Sequence, residues 1–475
     1  MTTFQMDSNT PVSPEIHATE STPLQVTPVQ RSERISSVDV LRGFALLGIL
    51  VLNIDSFGNP ELVHDVPVGT PIDNLSGPHA HLNLILLFIK WMFFEGKMRG
   101  LFSMLFGAGV ILMTDRAERR GAGKDIADIY LRRNMLLVLA GFLHTALIWI
   151  GDILFDYGLE ALLFLYPCRK LKAKTLLWLG TALSLLIAPV GGFLYLDAMH
   201  DFSLERQVKI ISQQKKSAEV LSETQKNTLK VWERRVVSQS ITPEKIREAV
   251  DEAKLGYIDS ILDRIQSSYQ NNFVQIHVDL IVDNLSAMLI GMGLMKLGFL
   301  TGELANETYA WTAIAGFAIS LPLYLAGIYK AYVSGFYFMA LERWLWAPYY
   351  LGREAGSLAI AAVLLLLIKG GALRRSQQAL AAVGRMALSN YLLTSIFCQF
   401  LFVWGPWRLF AKLEYFQLMY VVFGVWCMNL IFSTGWLRIF RYGPFEWLWR
   451  SLTYGKWQPM TLTPSQPMRR EAEPA

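Results

Sequence analysis

The stretch SSVDVLRGFALLGILVLNIDSFG, residues 36–58, decides how the rest of the chain is read. Its run of Leu, Ile, Val and Phe has the length, roughly twenty residues, that crosses a bilayer core. Yet Arg42 stands one turn inside it, and Asn53 stands near its far end. Eleven residues at 100° each bring those side chains within about 20° of one another on a helix, roughly 16 Å apart along the axis. One face of this first span thus carries a cation near one membrane boundary and an amide near the other. An arginine among acyl chains is costly unless it finds an anion, so such residues are functional candidates by default. The alternative is an arginine that snorkels to lipid phosphate, with Asp39 as its partner.

Similar runs recur along the 475 residues. Hydrophobic residues make up 53% of the chain and charged residues 17%, and mean hydropathy is +0.32. Clustered in runs of span length, without the alternation of barrel strands, this composition predicts an all-α, polytopic transmembrane helix bundle. Ten spans are expected, near 38–57, 82–113, 134–151, 153–167, 175–198, 273–299, 309–329, 345–368, 380–404 and 417–437. The second is interrupted by FEGKMRG (94–100), and the fourth is short, as suits a helix packed inside the bundle. Three scattered cysteines (Cys168, Cys398, Cys427) imply neither a disulfide framework nor a metal cluster.

The loops at 114–133, 168–174 and 369–375 are rich in Lys and Arg, whereas 58–81 and 152–156 have none. By the positive-inside rule both termini are expected in the cytoplasm. Residues 1–34 lack signal-peptide features and read as a disordered cytoplasmic tail. The bundle then divides into 35–198 and 273–440, flanking a polar, helix-favouring extracytoplasmic insertion at 199–272. That insertion is either a cap over the outer face or a decoration. The tail 441–475 alternates Trp with Arg and Lys, which reads most simply as an interfacial helix and otherwise as part of a ligand site.

A second constellation lies in HTALIWIGDILFDYGLEALL (144–163). His144 falls within span three, Asp152 and Asp156 frame the turn, and Glu160 falls inside span four. A histidine and carboxylates around one reversal can shuttle protons or orient an acceptor hydroxyl. Asp152 alternatively caps the following helix. The histidines of loop 58–81 (His64, His79, His81) match no zinc spacing, so no metal is expected, and His64 is a candidate general base. Arg99 in span two and Arg385 in span nine are further candidate cation sites for a ligand's phosphates. No phosphate-binding glycine loop, dinucleotide fingerprint or nucleophile triad spacing is present.

Five stretches together, VDVLRGFALLGILVLNI, LFSMLFGAG, HTALIWIGDILFDYGL, GRMALSNYLL and YGPFEWLWRSLTYG, resemble the YeiB family of bacterial inner-membrane proteins, which carry a domain of unknown function. The resemblance runs from about residue 34 to 455. The Asp-x-x-Arg-Gly opening with a polar residue eleven positions after the Arg is also similar to the first helix of transmembrane acyltransferases. That resemblance implies acyl transfer from cytoplasmic acyl-CoA to an acceptor on the far side. Bacterial members of that superfamily have a catalytic His where this chain has Asn53. The glucosaminide branch has Asn there and its His eleven residues on, the position of His64.

The expectation is therefore an acyltransferase-like protein with acyl-CoA as co-substrate. Arg42, Arg99 and Arg385 would meet phosphates, His64 or His144 would serve as base, Asp152 would orient it, and Asn53 would donate to the carbonyl oxygen. The partners expected are membrane lipids and a small-molecule or lipid-linked acceptor. No nucleic acid is expected, and a homodimer is compatible with such a bundle. Two rivals share these residues. One is a transporter or lipid-handling protein lined by Arg42, Glu95, Asp279 and Asp283, and the other is a scaffold acting through 199–272.

Overall fold

The computed structural model describes residues 36–60, 63, 74–119, 121, 125–216, 221–239, 242–253, 255, 257–258, 261–270 and 278–462. His64 and the expected tail 1–34 lie outside the described residues. Those described are helical apart from turns and one isolated bridge between Phe440 and Thr461.

Helix α1 (Ser36–Gly58) is the opening span, and most of its residues are buried on several sides. After α2 (Ala80–Ile89) comes a π-helical turn (Lys90–Phe94) and a break at Gly96, whose φ of +68° suits glycine, before α3 (Lys97–Arg119). The interruption lies where FEGKMRG predicts it. Next come α4 (Asp125–Leu147), α5 (Leu154–Glu160), a second π turn (Ala161–Leu165) and α6 (Tyr166–Cys168). Helix α7 (Ala173–Lys216) has 44 residues, ~66 Å at 1.5 Å each. It passes residue 198, where span five was expected to end, without a break.

The insertion is helical, as α8 (Glu223–Gln239), α9 (Pro243–Ala253) and α10 (Ile261–Tyr269). The second half of the bundle comprises α11 (Val278–Lys296), α12 (Asn306–Val333), α13 (Phe338–Leu341), a π turn (Glu342–Trp346) and α14 (Tyr349–Lys369). It closes with α15 (Arg374–Arg385), α16 (Ala387–Gln399), a fourth π turn (Phe400–Trp404), α17 (Tyr415–Ile439) and α18 (Pro444–Tyr454).

Six helical stretches are long and apolar enough to cross a membrane: 36–58, 80–119, 173–214, 306–333, 387–404 and 415–439. The other four expected spans coincide with α4, α5, α11 and α14. These helices carry polar groups such as Asn134, Glu160, Asn284 and Arg353, each buried inside the bundle. Enclosure by neighbouring helices is how a membrane bundle accommodates such groups.

The basic connections share one rim. Arg169 pairs with Glu118 across 3.8 Å, Lys296 donates to the Arg169 and Leu171 carbonyls, and Ser37 donates to the Leu300 carbonyl. The helices meet at close range through paired glycines. A Cβ on Gly43 would lie 2.0 Å from the Leu380 oxygen, and one on Gly384 would lie 1.9 Å from the Asp39 oxygen. Helices α1 and α15 therefore cross backbone to backbone, as small residues allow in membrane bundles.

Candidate functional site

The crossing of α1 and α15 forms one wall of a cavity of about 280 Å³. Along α1 the wall is Val38, Asp39, Arg42, Leu46 and Ile49, the stripe that a 3.6-residue repeat produces. Arg385 faces the cavity from α15, Arg116 from α3, Arg133 from α4 and Arg450 from α18. These five arginines compare with two carboxylates on the walls, Asp39 and Glu446. Asp39 accepts from Arg42 at 3.2 Å. Glu446 accepts from the Ser389 N–H at 3.0 Å and from the Ser389 hydroxyl. The wall thus carries a net positive field at the basic rim.

Helix α18 closes the floor. The Trp449 indole donates to the Arg133 carbonyl at 2.9 Å, and the Arg133 guanidinium stacks over the Trp449 ring at 3.7 Å. Trp449, Arg450 and Tyr454 all face the cavity, while Leu448 and Leu452 stay exposed on the other face. The amphipathic tail that reads as an interfacial anchor is therefore also a wall of the site.

Away from the rim the lining becomes apolar, with Phe102, Leu105, Phe106 and Leu137, and it ends at Tyr157 and Tyr391. The Tyr157 and Ser103 hydroxyls lie 2.5 Å apart. The Tyr391 hydroxyl donates to Asp152 Oδ1 at 3.3 Å, and its ring lies 5.1 Å from that of His144. His144 is almost wholly buried, and its Nδ1 lies 3.0 Å from the same Asp152 oxygen, off the line of an ideal hydrogen bond. Its Nε2 has no hydrogen-bond partner among the described residues. Asp152 Oδ2 accepts the Phe155 N–H at 2.8 Å. One carboxylate thus does both things the sequence offers: it ties down the start of α5 and faces the imidazole. His144 is not itself a cavity wall, because Tyr391 stands between.

Asn53 is half-buried one turn beyond Ile49, on the same stripe but past the end of the cavity. One turn further on, Phe57 stacks on Trp149 at 4.2 Å, and Trp149 meets His144 edge-on at 6.4 Å. Arg99 lies apart from the other arginines. It donates to Asp283 at 3.1 Å and to the Tyr349 hydroxyl at 3.3 Å. Arg353 holds the other Asp283 oxygen at 2.6 Å and also pairs with Glu354. Two more buried cations are spoken for nearby: Lys90 pairs with Asp55 at 2.5 Å, and Lys97 lies 3.4 Å over the Tyr324 ring. His79 meets Glu414 at 3.3 Å, and with Asn83 it fastens the start of α2 to α17.

At the opposite rim, Asp197, Asp201 and Glu342 bring carboxylate oxygens within 4.8 Å of one another. Arg235 of α8 sits among them, bonded to Asp197 and, at 2.8 Å, to Asp201. This pairing fastens the insertion to α7. Burial, and after it the charge of Asp197, push the Glu342 carboxyl up to about 7.

Sequence reasoning found Arg42, Arg385, His144 and Asp152 but did not single out Tyr157, Tyr391, Arg133, Arg116 or Glu446. The available signal was the set of five quoted stretches, since every one of them contributes residues to this cavity.

Comparison with known proteins gives the same grouping. Residues 294–456 match the family model described as "Protein of unknown function (DUF418)". The chain is 30% identical over 452 residues to "Uncharacterized protein YxaH" of Bacillus subtilis (strain 168), covering 91% of this chain and 97% of that protein. It is 30% identical over 425 residues to "Uncharacterized protein YeiB" of Escherichia coli (strain K12), covering 89% and 96%. A 39.9 kDa protein from the amylase 3' region of Bacillus acidopullulyticus is 27% identical over 441 residues, covering 92% and 98%. With such identity along nearly the whole of both chains, this all-helical membrane protein belongs to the YeiB family.

Proposed function

We propose that the cavity takes an acyl-CoA from the cytoplasm and that the protein passes the acyl group to an acceptor at the opposite face of a bacterial inner membrane. The observation that carries this reading is the gradient along one cavity, with arginines at the rim, apolar walls beyond them, and a buried His–Asp pair behind its far end. The residues present fit such a donor. A cluster of guanidiniums suits several phosphates, and the apolar reach suits the chain attached to them. The basic rim faces the cytoplasm on this reading, in keeping with the positive-inside rule.

The donor supplies an acyl carbon joined to a good leaving group. The protein's part is to hold and to move a proton. His144 Nε2 takes it from the acceptor hydroxyl or amine as the acceptor attacks the acyl carbon, and returns it to the departing sulfur. Asp152 orients the ring through Nδ1, and Asn53 lies on the stripe from which an amide N–H can donate to the carbonyl oxygen. For the acyl carbon to meet Nε2, the Tyr391 ring has to swing aside. His64 remains the alternative base.

Purified protein mixed with radiolabelled acetyl-CoA should bind it and gain thermal stability, and Arg42→Ala should weaken both. His144→Gln should keep the binding and lose transfer by about 10²–10⁴-fold, the usual contribution of a positioned general base. Absence of both binding and thermal protection would falsify this reading.

One observation favours a transporter instead: Asp283 is clamped between Arg99 and Arg353 at membrane depth. Substrate-path residues have this character. Uptake into vesicles that survives His144→Gln would select that reading.

A further inference from the structure

Among the described residues, Glu160 is a carboxylate left out of the charge pairing inside the bundle. It is completely buried, as is Asn284 of α11 beside it. Among the described residues, Arg99, Arg353, Asp283 and Glu354 close on one another, and Lys90 closes on Asp55. Among the described residues no ion pair reaches Glu160. Its Oε1 accepts from the Asn284 amide at 3.3 Å, while Oε2 has no partner, and neither has Asn284 Oδ1. Two buried acceptors without partners, on side chains already joined by one hydrogen bond, are costly to leave unsatisfied.

A single proton satisfies both. A carboxylic acid and a primary amide form a ring of two hydrogen bonds, with the amide N–H donating to one acid oxygen and the acid O–H donating to the amide oxygen. Glu160 and Asn284 present the first of these bonds, and the two atoms that the second would join, Oε2 and Oδ1, are the ones left without a partner among the described residues. We propose that this pair is a buried proton-binding site: Glu160 carries a proton in the folded protein and donates it to Asn284 Oδ1. A sodium ion is the poorer occupant, because it needs a shell of several oxygens, and the unpartnered side-chain oxygens of this pair among the described residues are two. The Ala161 carbonyl next to Glu160, for one, is taken by the Tyr130 hydroxyl at 2.9 Å.

The placement gives the site a route. Asp156 and Glu160 are one turn apart on α5, and Asp152 lies four residues before Asp156, bound to the start of the same helix. The carboxyl groups at 152, 156 and 160 form a series that starts in the turn beside His144, enters α5 and reaches Asn284, the helical step from 156 to 160 rising ~6 Å. Proton exchange between Glu160 and the turn after α4 runs along it. This site stands whether or not the cavity holds an acyl donor.

Infrared difference spectroscopy on the purified full-length protein reads the proton directly. Wild type minus Glu160→Gln should show the loss of one protonated-carboxyl C=O band. Asn284→Ala should keep that band but move it, since one of its hydrogen bonds is gone. Glutamine is the nearest neutral mimic, so Glu160→Gln should leave the thermal midpoint within about 3 °C. A difference spectrum showing loss of an ionised carboxylate band would overturn the proposal. So would a Glu160→Gln variant that fails to fold, because a neutral acid tolerates that exchange and a needed negative charge does not.

Discussion

Arg353 and Arg133 are both arginines within the same helical bundle, and their settings are opposite. Arg353 is fully buried, and its guanidinium is spent on Asp283 and Glu354. Arg133 is half-buried, lies flat on Trp449, and shares its cavity with four other arginines against two carboxylates. The first setting closes its charge internally; the second leaves a positive surplus facing a hollow. A guanidinium at membrane depth therefore indicates a ligand only where the local charges fail to cancel.

Four perturbations test this contrast, in descending order of expected effect. Arg353→Ala strands the buried Glu354 and leaves Asp283 with Arg99 alone, and it should cost ~3–5 kcal/mol of stability, read as loss of folded protein in detergent melts. If it melts like wild type, the internal pairing does not hold the bundle together. Gly384→Val drives a side chain into the α1 backbone and should cost at least ~1–3 kcal/mol, measured in the same way. Arg133→Ala should change stability by no more than ~1 kcal/mol, because the residue is only half-buried and faces a cavity where it pairs with no carboxylate among the described residues. The same variant should weaken binding of a polyphosphate-bearing ligand about tenfold to a hundredfold, the worth of one charge-assisted hydrogen bond. A variant that melts early and binds normally would reverse the assignment.

The smallest effect is expected at the far rim. Glu342 is held up to about 7, so the folded protein binds that proton more tightly than the unfolded chain does. Its contribution is complete below the unfolded carboxyl value of ~4.3 and is lost as pH rises through about 7. Hydrogen exchange in α8 should therefore quicken between about pH 5 and pH 8, and Glu342→Gln should flatten that rise.

How far the sequence discloses this molecule depends on how local each feature is. The α1 stripe from Val38 to Ile49 follows from helical periodicity, and the break near Gly96 follows from FEGKMRG. His144 and Asp152 were legible because only eight residues and one tight turn separate them. Arg99 and Arg42 look alike in sequence, and only folding separates them, since the Asp283 that claims Arg99 lies 184 residues away. Arg116, Arg133 and Tyr391 were passed over for the same reason: their shared cavity is assembled from distant helices, and no spacing encodes that. Helix α18 was ambiguous because a Trp–Arg face looks the same whether it meets lipid or Arg133.

The mirrored dipeptides Arg42-Gly43 and Gly384-Arg385 carry one further consequence. Each glycine lets the two backbones touch, and each arginine follows or precedes it by a single bond of chain, so both guanidiniums ride on the joint itself. A polyanion gripping the two would act as a clamp across the crossing, pinning the angle at which the two halves of the chain meet. Occupancy would then be felt as stiffness at the seam, far from any catalytic group.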